Sequence, residues 1–184
     1  MRLQPREYEI GEHKLVLRSP EKEEAEMLCS YLARVCGETR FMMQGADECK
    51  DLSIEDEEQF ILSHIEEPDA CLIIAELDGQ HIGNASFNAV GPSRRNHHRA
   101  NVGIAIYLDY TGKGIGKTMF QVLLDTIEAC GFESAELTVI EGNERAKHMY
   151  ETFGFAEVGR IPKANKYDDG TYADDILMYK DLRT

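Results

Sequence analysis

Apolar and polar positions along the chain follow two periods. Lys14 to Arg18 alternates as a short strand does, and Ser19-Pro20-Glu21 then offers an N-cap residue and a proline that a first helical turn tolerates. Apolar residues next recur at Ala25, Leu28, Cys29, Leu32 and Cys36, the stripe of an amphipathic helix that Gly37 can close. A second helix is expected from Ser53 to about Glu66, with Phe60, Ile61 and Ile65 inward and Pro68 as its stop. The intervening Glu38 to Leu52 reads as loop.

The middle of the chain turns to strands. Cys71 to Leu77 and Gln80 to Val90 flank Asp78-Gly79, a two-residue hairpin signal. After the loop Gly91 to His98, a third strand carries Val102, Ile104, Ile106 and Leu108 on one face. A glycine-rich turn leads into a helix with Ile115, Met119, Val122, Leu123, Ile127 and Cys130 on one side and Gly131 at its end. A strand (Ala135 to Ile140), a short helix (Asn143 to Phe153) and a hairpin across Asp169-Gly170 follow. Strand-helix-strand-helix in this half implies a βαβ crossover and a mixed sheet, an α/β (α+β) class. No repeat, low-complexity tract or linker divides the chain, so residues 1–184 read as one domain.

Length and charge narrow the function. With 184 residues and 42% hydrophobic side chains the chain can bury a full core, which excludes disordered, collagenous and coiled-coil classes. The net charge of -14 is concentrated between Glu21 and Glu67, where fourteen acidic side chains face four basic ones. Such a field repels nucleic acid and anionic membranes and steers cationic substrates, though it also reads simply as a solvated acidic face. The first residues hold no apolar signal segment, so a soluble, cytoplasmic protein is expected. Five scattered cysteines (Cys29, Cys36, Cys49, Cys71, Cys130) are expected to be reduced thiols, mostly core fillers. Six histidines and the acids have no metal-ligand spacing, so no metal is expected.

The specific chemistry begins at Tyr110-Thr111-Gly112-Lys113-Gly114-Ile115-Gly116-Lys117-Thr118, between a strong strand and a strong helix. Alternate glycines let a backbone approach a ligand, and a helix start supplies unpaired N–H groups and the positive end of a dipole, so a phosphate is the natural guest. A Walker A loop ending at Gly116-Lys117-Thr118 would need glycine where Thr111 stands. A dinucleotide fingerprint from Gly112 would need glycine where Lys117 stands.

What the turn resembles is the pyrophosphate-binding turn of the GCN5-related N-acetyltransferases, with signature Arg/Gln-x-x-Gly-x-Gly/Ala. Thr111 departs from it, standing where Arg or Gln is usual. About thirty residues on, Asn143-Glu144-Arg145-Ala146-Lys147-His148-Met149-Tyr150-Glu151-Thr152-Phe153-Gly154-Phe155 is similar to the family's Asn-x-x-Ala-x-x-Leu/Met-Tyr-x-x-x-Gly-Phe segment at every fixed position. The ending Asp175-Ile176-Leu177-Met178-Tyr179 resembles the branch related to amino-acid, phosphinothricin and ribosomal-protein acetyltransferases.

The resemblance implies a mostly antiparallel sheet splayed in its middle, flanked by about four helices, with acetyl-coenzyme A (acetyl-CoA) as co-substrate. By it, Ile104, Ala105 and Ile106 form an edge for the pantetheine arm, with the Ile104 N–H on the thioester oxygen. Thr111, Gly112, Lys113, Gly114, Ile115, Gly116 and Lys117 would hold the pyrophosphate, and Asn143 would touch the cofactor from the other side. An amine would attack directly, and Tyr150 would give a proton to the departing thiolate. Glu38 is the candidate base, ahead of His98 and Asn84. The acceptor would be a small-molecule amine or a protein N-terminus or lysine, and a homodimer is the commonest assembly for such an enzyme. The rivals are a non-catalytic CoA or acyl-CoA sensor on the same fold, and a nucleotide-binding enzyme using the turn as a P-loop.

Overall fold

The computed structural model describes residues 1–45 and 47–183, with Lys50 in its main chain only. Eight strands form one sheet: β1 (Arg6–Ile10), β2 (His13–Arg18), β3 (Ala70–Leu77), β4 (Gln80–Ala89), β5 (Arg99–Ile106), β6 (Ser134–Ile140), β7 (Ala156–Lys166) and β8 (Tyr172–Asp181). Their order is β1-β2-β3-β4-β5-β6-β8-β7, and each neighbouring pair is antiparallel except β5 and β6. Four α-helices accompany them among the described residues: α1 (Ala25–Glu38), α2 (Ile54–Ile65), α3 (Ile115–Ala129) and α4 (Glu144–Thr152). The βαβ crossover is thus β5-α3-β6, at the parallel pair.

Alternation on β3 sorts two cores. Leu72 and Ile74 join Ala25, Leu28, Ile61 and Ile65 of α1 and α2, while Cys71, Ile73 and Ala75 join the larger cluster built on Phe87, Val102, Met119, Phe120 and Leu123. A strand buried on both faces reads as the continuous apolar run seen at Cys71 to Ala75. The β3-β4 hairpin turns through Asp78 and Gly79, both at positive φ (51° and 82°), as two-residue turns of this kind require. Ser53 caps α2 by accepting from the Asp56 N–H.

Several expectations need correction. β1 had no counterpart in the hydropathy pattern. Ser19 is not a cap: it is buried, accepts from the Leu3 N–H and donates to the Leu72 carbonyl, while Glu21 and Glu24 form the capping box that starts the helical segment. α1 runs past Gly37 to Glu38, and Glu48–Asp51 adds a 3-10 turn within the expected loop. Phe60 lies on the exposed side of α2, and Leu108 sits exposed in a 3-10 turn beyond β5. Cys36 and Cys49 are joined as a disulfide with Cα atoms 6.6 Å apart, so these two are not reduced core fillers; Cys29, Cys71 and Cys130 are free.

Candidate functional site

β5 and β6 pair only over Arg99–Asn101 and then part. On the other side of β5 the ladder to β4 is complete from Ala100 to Ile106. The Val90 N–H donates to the Arg99 carbonyl and the Tyr107 N–H to that of Ile82. In an antiparallel ladder the main-chain direction alternates, so the odd residues of β5 face β4. Ile104 and Ile106 therefore turn their N–H and C=O groups toward the gap that β6 has left, while Ala105, one of the three expected edge residues, spends its main chain on β4. Gly83 permits the close β4-β5 approach here: a methyl on it would stand 2.9 Å from the Ala105 carbonyl oxygen and from the Ile106 side chain.

At the end of β5 the chain makes a 3-10 turn, Leu108–Tyr110, closed by the Thr111 N–H donating to the Leu108 carbonyl. Gly112 (φ 76°) and Gly114 (φ 87°) take the left-handed conformation, and Gly114 caps α3, whose ladder begins with the Thr118 N–H donating to Gly114. Among the described residues, none of the six N–H groups from Gly112 to Lys117 has a partner in the chain. That is a cradle of donors at the positive end of a 15-residue helix, which fits a diphosphate. Gly116 also serves packing, since a methyl there would crowd the Ile106 side chain at 3.3 Å and touch the Met149 sulfur at 3.6 Å.

α4 closes the other side. The Asn143 side chain caps it by accepting from the Ala146 N–H at 3.3 Å. The Tyr150 ring is buried against Phe120 and Phe155, with centroids 5.2 and 6.2 Å away, in the same cluster on which Ile104, Ile106 and Met149 pack. Its hydroxyl has no hydrogen-bond partner among the described residues. Burial pushes the phenol up to about 12, so it holds its proton at neutral pH.

The candidate bases fare differently. Glu38 has both oxygens engaged, one by Arg34 Nε and the other by the Leu108 N–H, each at 2.7 Å. Arg34 in turn lies over the Tyr107 ring at 3.9 Å and reaches Asp109 at 3.2 Å. Asn84 stands opposite Ala105 with its Oδ1 2.6 Å from Nε2 of His81, a ring that burial keeps toward the neutral form. His98 precedes β5 at the end away from Ile106, roughly 25 Å along the strand, so it is not part of the site.

Sequence reasoning missed two groups. Tyr31 of α1 donates to the Ala105 carbonyl at 2.7 Å, steadying the bare-edged strand. Arg145 of α4 reaches back to donate from Nη1 to the Thr111 hydroxyl, which itself donates to the Leu108 carbonyl. The signal for Arg145 was a cation in the first turn of a helix, against the dipole.

Residues 39–155 match the Acetyltransferase (GNAT) family. The chain is 27% identical to an acetyltransferase of the GNAT family from Streptococcus pneumoniae, whose structure superposes with a TM-score of 0.86 over 91% of this chain and 99% of that one. YncA from Salmonella typhimurium, solved with its cofactor acetyl-CoA, has the same fold at 15% identity, with a TM-score of 0.80 over 91% and 94% of the two chains. The L-amino acid N-acyltransferase MnaT of Escherichia coli K12 is 23% identical over 92 residues, half of this chain and 54% of that relative's length.

Proposed function

The chain belongs to the GNAT acetyltransferase family, and on that footing we propose that it moves an acetyl group from acetyl-CoA to a primary amine by direct attack in a ternary complex. The observation that carries this reading is the run of six unpartnered amides, Gly112 to Lys117, continuous with the unpaired edge at Ile104 and Ile106. A diphosphate on the first and the amides of a pantetheine arm on the second would satisfy both sets of groups at once.

Bound there, acetyl-CoA supplies an activated acyl carbon and a thiol leaving group. The Ile104 N–H would donate to the thioester oxygen, where negative charge builds as the amine attacks. Holding both partners in one cleft converts a bimolecular encounter into a positioned one. Tyr150 would give its proton to the departing sulfur, and the proton that the attacking amine loses would pass to water, from which the phenol regains its own; an unpartnered hydroxyl and a raised pKa suit the donor role. Asn143, the cap of α4, would touch the cofactor from the other side. Glu38, with both oxygens engaged, suits holding the turn after β5 better than removing a proton from the amine.

The similarity to an L-amino acid N-acyltransferase makes α-amino acids the first acceptors to try, beside polyamines and N-terminal peptides. The test is thiol release from acetyl-CoA across that amine panel, with Tyr150→Phe as the control. Amine-dependent release supports the transferase. CoA binding without turnover on any amine would replace it with a sensor.

A further inference from the structure

A CoA ligand is a polyanion, and the chain that must hold it carries a net charge of -14. Backbone amides and the α3 dipole supply partial positive charge at the turn, and a full charge can be added only by side chains. Position 111, where the resembled turn signature has Arg or Gln, is a threonine. Its hydroxyl donates to the Leu108 carbonyl at 2.8 Å and accepts from Arg145 Nη1, so it can hold a guanidinium at the mouth of the turn. Arg145 is exposed, and among the described residues its other nitrogens have no partner. It is the second residue of α4, where the dipole disfavours a cation and Glu144 alone would be the favourable choice. An arginine placed against the dipole and tethered beside six empty N–H donors makes sense if an anion sits between them.

We propose that Arg145, oriented by Thr111, is a ligand of the CoA diphosphate in this chain and supplies from α4 the long polar side chain that position 111 lacks. Arg145 touches the ligand; Thr111 is a positioning residue. The proposal rests on the acetyltransferase reading. Lys113 and Lys117 add diffuse charge, whereas the tethered guanidinium offers a planar pair of donors matched to phosphate oxygens.

The test is calorimetric titration of CoA, dephospho-CoA and pantetheine into the unaltered chain and into Arg145→Ala, Thr111→Val and the double variant Thr111→Arg/Arg145→Ala, with thermal melts as a check of folding. Arg145→Ala is expected to weaken CoA and dephospho-CoA alike by about tenfold and to leave pantetheine unchanged. Thr111→Val should weaken both nucleotides by about threefold, and the double variant should recover most of the loss. The salt dependence of CoA affinity should flatten with Arg145→Ala, because fewer ionic contacts remain to be screened. CoA affinity within twofold of the unaltered chain would overturn the proposal, as would an equal loss on pantetheine. A loss on CoA that spares dephospho-CoA would overturn it by placing the guanidinium on the 3′-phosphate. If the unaltered chain bound no CoA, the acetyltransferase reading would fall together with this one; if it bound CoA and ignored Arg145→Ala, only this one would.

Discussion

The hydroxyl of Tyr31 on α1 donates to the carbonyl oxygen of Ala105 on β5 across 2.7 Å, at the strand position between the two residues whose main chains face the gap. The side chain is fully buried, its ring tilted against those of His81 and Tyr107 with centroids 4.7 and 5.0 Å away. α1 thereby braces β5 from one side while the other side stays bare. Tyr31→Phe keeps the packing and removes the donor, so a stability loss of about 1 kcal/mol is expected, lowering the melting temperature by about 2–4 °C. Thermal melts of the two proteins check this.

Tyr150→Phe separates chemistry from binding. Removal of the hydroxyl should lower kcat by about 10²-fold or more while leaving CoA affinity within about twofold. With the phenol held near 12, no alkaline fall in rate below about pH 10 should come from this group. Steady-state kinetics across pH, paired with CoA titration, provide both readouts.

Glu38 tests whether a carboxylate held by two donors acts as a strut or a base. As a strut, Glu38→Gln retains an oxygen for the Leu108 N–H and should keep activity within about fivefold. Glu38→Ala releases the turn and should cost about 1 kcal/mol of stability as well as activity. Equal losses of about 10²-fold or more in both variants, with stability intact, would make it the base.

Glu57 lies buried on α2, and desolvation lifts its carboxyl from near 4.5 to about 6. A carboxyl raised in the folded state is ionised more readily in the unfolded chain. Its effect on stability is therefore neutral below about pH 4.5, becomes a penalty as pH rises toward 6, and stays constant above that. Glu57→Gln should raise stability at pH 7 by about 1 kcal/mol, reduced from the full shift because some water still reaches the site, and should give no gain at pH 4. Denaturant melts at the two pH values distinguish these outcomes.

Local signals carried most of this architecture. Asp78-Gly79, the stripe of α3 and the Asn143 to Phe155 segment each encode their geometry in adjacent residues, so turn chemistry and periodicity were enough. The positive-φ glycines at 112 and 114 follow the same logic, while Gly116 has a different cause, contact with Ile106 and Met149, which only tertiary packing reveals. β1 escaped because Arg6–Ile10 is a short edge strand whose Glu and Tyr alternation carries little hydrophobic contrast. The Cys36–Cys49 bond escaped because scattered, odd-numbered cysteines do not specify a pairing. Arg145 and Tyr31 act on residues 34 and 74 positions distant, beyond the reach of spacing rules.

Residue-resolved amide hydrogen exchange with and without saturating CoA tests the central claim most directly. The expected result is slowed exchange at Gly112 to Lys117 and at Ile104 and Ile106, with Ala105 and Gly103, already laddered to β4, little changed. Unaltered exchange at both the turn and the strand edge, in the presence of CoA at any concentration, would contradict the assignment of this cleft to the cofactor.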